Sequence, residues 1–74
     1  MPFEKDTFGH RLKVARVDKK LNQVELAKRS GVSLDSIVRY ESGETIPGLE
    51  NAYKLAETLG VSLNHLCDFP RQTA

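Results

Sequence analysis

The sequence predicts an all-α domain, a compact bundle of five short helices, and three observations carry that expectation. Side chains that start helices stand ahead of apolar residues spaced three or four apart, at Asn22, Ser33 and Ser62. Glycines stand where those runs stop, at Gly31, Gly43 and Gly60. No stretch reads as a strand, and 74 residues leave room for one domain, which buries only about 60% of the surface its unfolded chain exposes.

The elements follow in order. Met1 to Asp6, with Pro2 and mixed charge, reads as a loose N-terminal arm. Thr7 is placed to cap a first helix from Phe8 to about Lys19, with Phe8, Leu12 and Ala15 facing the core and Val14 and Val17 outside that stripe. Asn22 and Glu25 form an N-x-x-E capping box that starts a second helix, about Gln23 to Arg29. Gly31 supplies the left-handed conformation that side chains with a Cβ resist, and the chain turns there. Ser33 caps a third helix over Leu34 to Glu41, with Val24, Ala27, Val32, Ile37 and Tyr40 expected to bury together. Leu34, Asp35, Val38 and Arg39 are left on its outer side, because positions i, i+1, i+4 and i+5 share one face.

Pro47 and Gly48 close a loop before a fourth helix, Leu49 to Leu59, expected to bury Leu49, Ala52, Leu55, Ala56 and Leu59 at least in part. Ser62 caps a short fifth helix, Leu63 to about Cys67. The folded domain is bounded at residues 7–69, and Pro70 begins a C-terminal tail, residues 70–74. No repeats, low-complexity tracts or linkers interrupt this plan.

Two short helices joined by one tight turn, as in Leu21 to Gly43, form the helix-turn-helix geometry that carries a helix into the major groove of DNA. The segment resembles the lambda Cro/C1-type, or xenobiotic-response-element, family of helix-turn-helix regulators. The residues that carry the resemblance are Leu21-Asn22-Gln23-x-Glu25-Leu26-Ala27, Gly31-Val32-Ser33, Ile37-x-x-Tyr40-Glu41-x-Gly43, Pro47 to Leu49, Leu55-Ala56 and Leu59-Gly60-Val61-Ser62. It covers about Phe8 to Leu66, nearly the whole chain. It implies a lambda-repressor-like fold and sequence-specific binding of double-stranded DNA, with residues 34–41 as the recognition helix.

Charge fits this reading by distribution more than by sum. The formal net charge is only +1, yet His10 to Arg39 holds eight basic residues against three acidic ones, and Tyr40 to Phe69 holds five acidic against one basic. Such segregation lets one side meet phosphates while the other keeps the molecule soluble; solvated helix faces are the plainer alternative. The hydrophobic share of 39% and charged share of 28% are those of a soluble globular protein, and no long apolar run or signal-peptide pattern stands at the N-terminus. A cytoplasmic setting is expected, which a single cysteine, Cys67, suits.

Individual residues take roles within this frame. Arg39 on the groove-facing side can pair bidentately with guanine O6 and N7, or else touch a phosphate or pair with Asp35. Asp35 can accept from a cytosine amine or orient Arg39, although a carboxylate is repelled by nearby phosphates. Leu34 and Val38 can pack on thymine methyls, or form an apolar patch for a protein partner. Gln23, Ser33, Ser36, Ser42, Thr45 and Lys13 are the candidates for DNA backbone contact, the hydroxyls serving otherwise as cap or turn residues. The resemblance further implies that Gln23 braces a recognition-helix side chain, and that Arg16 and Glu41 form a structural pair bridging the first helix to the end of the recognition helix.

One unit reads few base pairs, so specific regulators of this kind pair on a palindromic operator with recognition helices about 34 Å apart. The resemblance implies a homodimer built on the last helix, with Leu63, Leu66, Cys67 and Phe69 as candidate contacts. No membrane or small-molecule substrate is expected as a partner, and no cofactor. His65 and Cys67 lie two apart on a helix and point to nearly opposite sides, which argues against a metal site. No nucleophile-base constellation, phosphate loop or paired carboxylates are visible, so no enzyme activity is expected. Two readings remain: a small prokaryotic or phage-type transcriptional regulator, among them repressors, restriction-modification controllers and antitoxins, or a protein-interaction module that presents Leu34 and Val38.

Overall fold

The computed structural model describes residues 5–67 of the backbone and the side chains of residues 7–66. Five helices follow one another: α1 (Lys5–Asp18), α2 (Gln23–Ser30), α3 (Leu34–Ser42), α4 (Leu49–Leu59) and α5 (Leu63–Cys67). Residues 1–4 of the expected N-terminal arm, Asp68, Phe69 and the tail lie outside the described residues, as does the side chain of Cys67, whereas the backbone of Lys5 and Asp6, read as part of the arm, belongs to α1.

The capping chemistry is in place. The Glu25 amide donates to Asn22 Oδ1 at 2.7 Å and the Asn22 amide to Glu25 Oε1 at 2.8 Å, closing the capping box that starts α2. The Ser36 amide donates to Ser33 Oγ at 3.1 Å, and the His65 amide to Ser62 Oγ at 2.9 Å. Gly31, Gly43 and Gly60 end α2, α3 and α4 in the left-handed region, with φ of 79°, 81° and 71°. The end of α1 departs from that pattern. Lys20 itself adopts φ 61°, and the amides of Lys20 and Leu21 donate to the carbonyls of Val17 and Arg16. The chain thus makes a helix-ending turn there without a glycine.

One core unites the helices. Phe8, Leu12 and Ala15 of α1 meet Leu21, Leu26, Val32, Ile37, Tyr40, Ala52, Leu55, Ala56, Leu59 and Leu66, with Ala27, Val61 and Leu63 packed at its edge. The rings of Phe8 and Tyr40 meet edge to face with centroids 6.0 Å apart, and the Tyr40 hydroxyl accepts from Asn51 Nδ2 at 2.9 Å. The buried ring therefore keeps its polar tip satisfied.

Four expectations are corrected. Thr7 does not cap α1, because helical backbone begins two residues earlier at Lys5 and already contains Thr7. Val24 is 45% exposed; it lies about 200° around α2 from buried Leu26, beyond the stripe that an eight-residue helix can bury. Leu49 is 73% exposed, since it occupies the first turn of α4, to one side of the stripe Ala52, Leu55, Ala56 and Leu59. Leu66 is 0% exposed; it fills the core of its own domain and is not available as a dimer contact.

Gly9 sets how closely α1 approaches α3. A Cβ built there would stand 2.5 Å from the Tyr40 carbonyl oxygen and 2.9 Å from that of Glu41, both backbone atoms in the last turn of α3. Nothing flexible is present to give way. Alanine within a helix would otherwise gain about 1 kcal/mol over glycine. Gly9→Ala is nevertheless expected to lower stability by about 1–3 kcal/mol through overpacking, read from the midpoint shift in urea unfolding.

Candidate nucleic-acid interface

The site is built on one ion pair. Arg16, in the last turn of α1, donates from Nε to Glu41 Oε2 at 2.7 Å and from Nη2 to Glu41 Oε1 at 2.9 Å, a two-pronged contact across 25 residues of sequence. Its Nη1 donates to the Leu21 carbonyl oxygen at 2.9 Å, where the chain enters α2. Gln23, the first residue of α2, donates from Nε2 to Glu41 Oε1 at 3.1 Å. One carboxylate on α3 thereby gathers α1 and α2. The two charged side chains are only 11% and 6% exposed, so their geometry matters more than that of a surface pair. The hydrogen bond to Glu41 raises the Arg16 pKa above its ordinary value, with Glu41's charge adding to the rise, against the lowering caused by burial. Stability from a raised pKa is fully present below the unfolded value and is lost only above the raised one, so Arg16 contributes across all neutral buffers.

With its inner side fixed in this way, α3 presents Leu34, Asp35, Val38 and Arg39 together on its exposed side. Ile37 and Tyr40, on the other side, are buried. Arg39 lies between two carboxylates: Nε is 3.0 Å from Asp35 Oδ2, and Nη1 is 3.3 Å from Glu44 Oε2. Both pairs are exposed and weak, and they leave the Nη2 donors uncommitted. The sequence reading had Asp35 as a partner of Arg39 and missed Glu44, whose approach depends on the turn at Gly43 bringing the loop back beside α3.

The backbone-contact candidates divide by what their polar groups already do. Ser33 Oγ caps α3 and also donates to Ser36 Oγ at 2.9 Å, which leaves the Ser36 proton for another acceptor. Ser42 Oγ donates its one proton to the Arg39 carbonyl oxygen at 3.0 Å. Gln23 is engaged with Glu41, which is the bracing role the resemblance implied. Lys13 is exposed on α1 and Thr45 half-buried beyond α3. A surface hollow lined by Thr7, His10, Arg11, Val14 and His65 lies on α1 and α5 and shares no residue with the α3 face.

Residues 12–66 match the helix-turn-helix family model HTH_3. The chain belongs to the Cro/C1-type helix-turn-helix family. Relatives in this family are named transcriptional repressors and regulators. The cryptic phage CTXphi transcriptional repressor RstR of Vibrio cholerae serotype O1 is 44% identical over 45 residues, 61% of this chain and 40% of RstR. The chain spans 25% of a further relative, an uncharacterized HTH-type transcriptional regulator of Haemophilus influenzae. Among solved structures, the restriction-modification controller protein C.AhdI from Aeromonas hydrophila superposes with TM-score 0.80 at 34% identity, covering 84% of this chain and 94% of C.AhdI. The P22 c2 repressor in complex with synthetic operator 9T superposes with TM-score 0.75 at 36% identity, covering 80% of this chain and 89% of the repressor. In this helix-turn-helix domain no helix among the described residues is long and apolar enough to cross a membrane.

Truncating Arg16 strands a nearly buried carboxylate and frees the Leu21 carbonyl. Arg16→Ala is expected to cost about 3 kcal/mol of unfolding free energy. Gln23→Ala, which removes one hydrogen bond, should cost about 1 kcal/mol. Paired urea titrations of the two variants check this order.

Proposed function

We propose that the chain binds double-stranded DNA sequence-specifically as a cytoplasmic transcriptional regulator, with α3 in the major groove and two copies on a palindromic operator. The observation that carries this reading is the division of α3. Its inner side is locked to α1 and α2 through Glu41, and its outer side holds four side chains with no part in the core. The likeness to a repressor solved on its operator supports the same placement. Residues 5–42, the span of α1 to α3, carry nine lysines and arginines against five acidic residues, which suits an approach to phosphates, while 43–74 carry four acidic residues against two basic ones.

In this reading Arg39 pairs with a guanine through donors that Asp35 and Glu44 leave uncommitted, and the two exposed carboxylates bias the guanidinium toward that side of α3. Leu34 and Val38 pack on thymine methyls. Ser36 and Lys13 reach phosphates, with Thr45 beside them. The exposed Leu34 and Val38, one turn apart, also favour a second reading in which this face binds another protein.

Selection of bound duplexes from a random pool, followed by salt titration of the selected site, separates the two readings. Affinity for the site should fall steeply as salt rises, since phosphate contacts release counterions; an apolar protein contact would barely respond. Arg39→Ala should lower discrimination at one guanine position by roughly 5- to 150-fold, the equivalent of about 1–3 kcal/mol. An even loss across all sequences would assign Arg39 to a phosphate instead.

A further inference from the structure

The presented side of α3 has the opposite sign to the helices that carry it. Residues 5–30, the span of α1 and α2, hold eight lysines and arginines against three acidic residues. Between residues 34 and 48 the charged side chains are Asp35, Arg39, Glu41 and Glu44. Glu41 is turned inward to Arg16, so the exposed charge of α3 and the loop after it is one guanidinium against two carboxylates, a local −1. The backbone fixes this cluster. Gly43 turns the chain at φ 81°, and the Glu44 amide donates to the Arg39 carbonyl oxygen at 2.9 Å. Glu44 Oε2 then lies 3.3 Å from Arg39 Nη1, while Asp35 Oδ2, one turn earlier, stands 3.0 Å from Nε.

Resting on the reading that α3 enters the major groove, we propose that Glu44 is a specificity-determining residue, which makes α3 select bases by excluding phosphates. Charge and hydrogen bonding part company at this cluster. A guanidinium flanked by two carboxylates loses its attraction for a phosphate, because the cluster as a whole is negative and Coulomb forces act at long range. It keeps N–H donors, and guanine O6 and N7 are uncharged acceptors that require only donors at short range. A duplex without guanine at that place therefore meets a repelling surface, whereas one with guanine gains a contact that offsets the repulsion. Discrimination then comes from the penalty on wrong duplexes, while the basic residues of α1 and α2 attract any duplex alike. Asp35 shares the charge but also belongs to the row that faces the bases. Glu44 lies in the loop, off that row, so its removal changes the charge and leaves the row as it is.

The test compares the duplex selected from a random pool with one of unrelated sequence, each titrated with the full chain at about 50, 150 and 300 mM salt. Glu44→Gln should tighten the unrelated duplex roughly 3- to 10-fold at the lowest salt and the selected duplex by less, lowering the ratio of the two affinities at least about twofold. Added salt should shrink the change, since screening shortens the reach of exposed charges. In an Arg39→Ala background the same substitution should leave the ratio unchanged. So should Glu57→Gln on α4, which alters the net charge equally but away from α3. Urea unfolding of Glu44→Gln should match the wild type, as both pairs of Arg39 are exposed. A ratio that stays constant or rises on Glu44→Gln, with the wild-type chain still selecting its site, would overturn the proposal and leave the major-groove reading standing. A fall that persists undiminished at 300 mM, or that Glu57→Gln reproduces, would also overturn it, because local charge would not be the cause. A wild-type chain that selects no duplex would overturn the major-groove reading itself and this proposal with it.

Discussion

The polar contacts that tie α3 to both α1 and α2 converge on the Glu41 carboxylate. It accepts two bonds from Arg16 of α1 and one from Gln23 of α2, and Arg16 in turn holds the Leu21 carbonyl oxygen. Two helices and the turn between them are thus referred to one pair of oxygens near the end of α3. A nearly buried carboxylate tolerates this location because every donor it meets is fixed by secondary structure, and the guanidinium matches it in shape as well as charge. The apolar core supplies the attraction that collapses the chain, but apolar contact is non-directional. The orientation of α3 about its own axis comes from the polar hub and from the close backbone approach at Gly9.

That approach is the complement of the hub. Arg16 pulls the end of α3 toward the C-terminal half of α1, and Gly9, two turns earlier, lets the same end sit against α1 with no side chain between. The Phe8 and Tyr40 rings close the contact next to it. A helix held at two levels along its neighbour has little freedom to rock, so the exposed row on its other side is presented at a defined angle. Such pre-organisation lowers the ordering cost of any contact that row makes.

Much of this was legible in the residues. Caps and stops act locally, so Asn22 with Glu25, Ser33, Ser62 and the three left-handed glycines read directly as element ends, and the start and end of α4 and of α5 followed. The outer row of α3 followed from helical spacing once its start was known. What escaped depends on neighbours that spacing does not reveal. Val24 is apolar and sits in a helix, yet burial needs a covering element on its side, and α2 receives that cover only around Leu26. Leu49 shares the period of the α4 core but lies at its first turn. Gly9 drew no reading from the sequence, because its role depends on the carbonyls of α3 that only the fold brings beside it. Glu44 joins Arg39 only because the chain doubles back after Gly43. Leu66 was assigned outward on the strength of the family resemblance, whereas a domain this small draws its last helix inward to complete the core.

The clean division of α3 has a consequence for how such a domain changes over time. Leu34, Asp35, Val38 and Arg39 support neither the core nor the hub, so they can be exchanged as a set while Ile37, Tyr40 and Glu41 stay in place. Under the proposed function, a lineage would drift from one target to another by rewriting four letters on a frame that never has to relearn its shape.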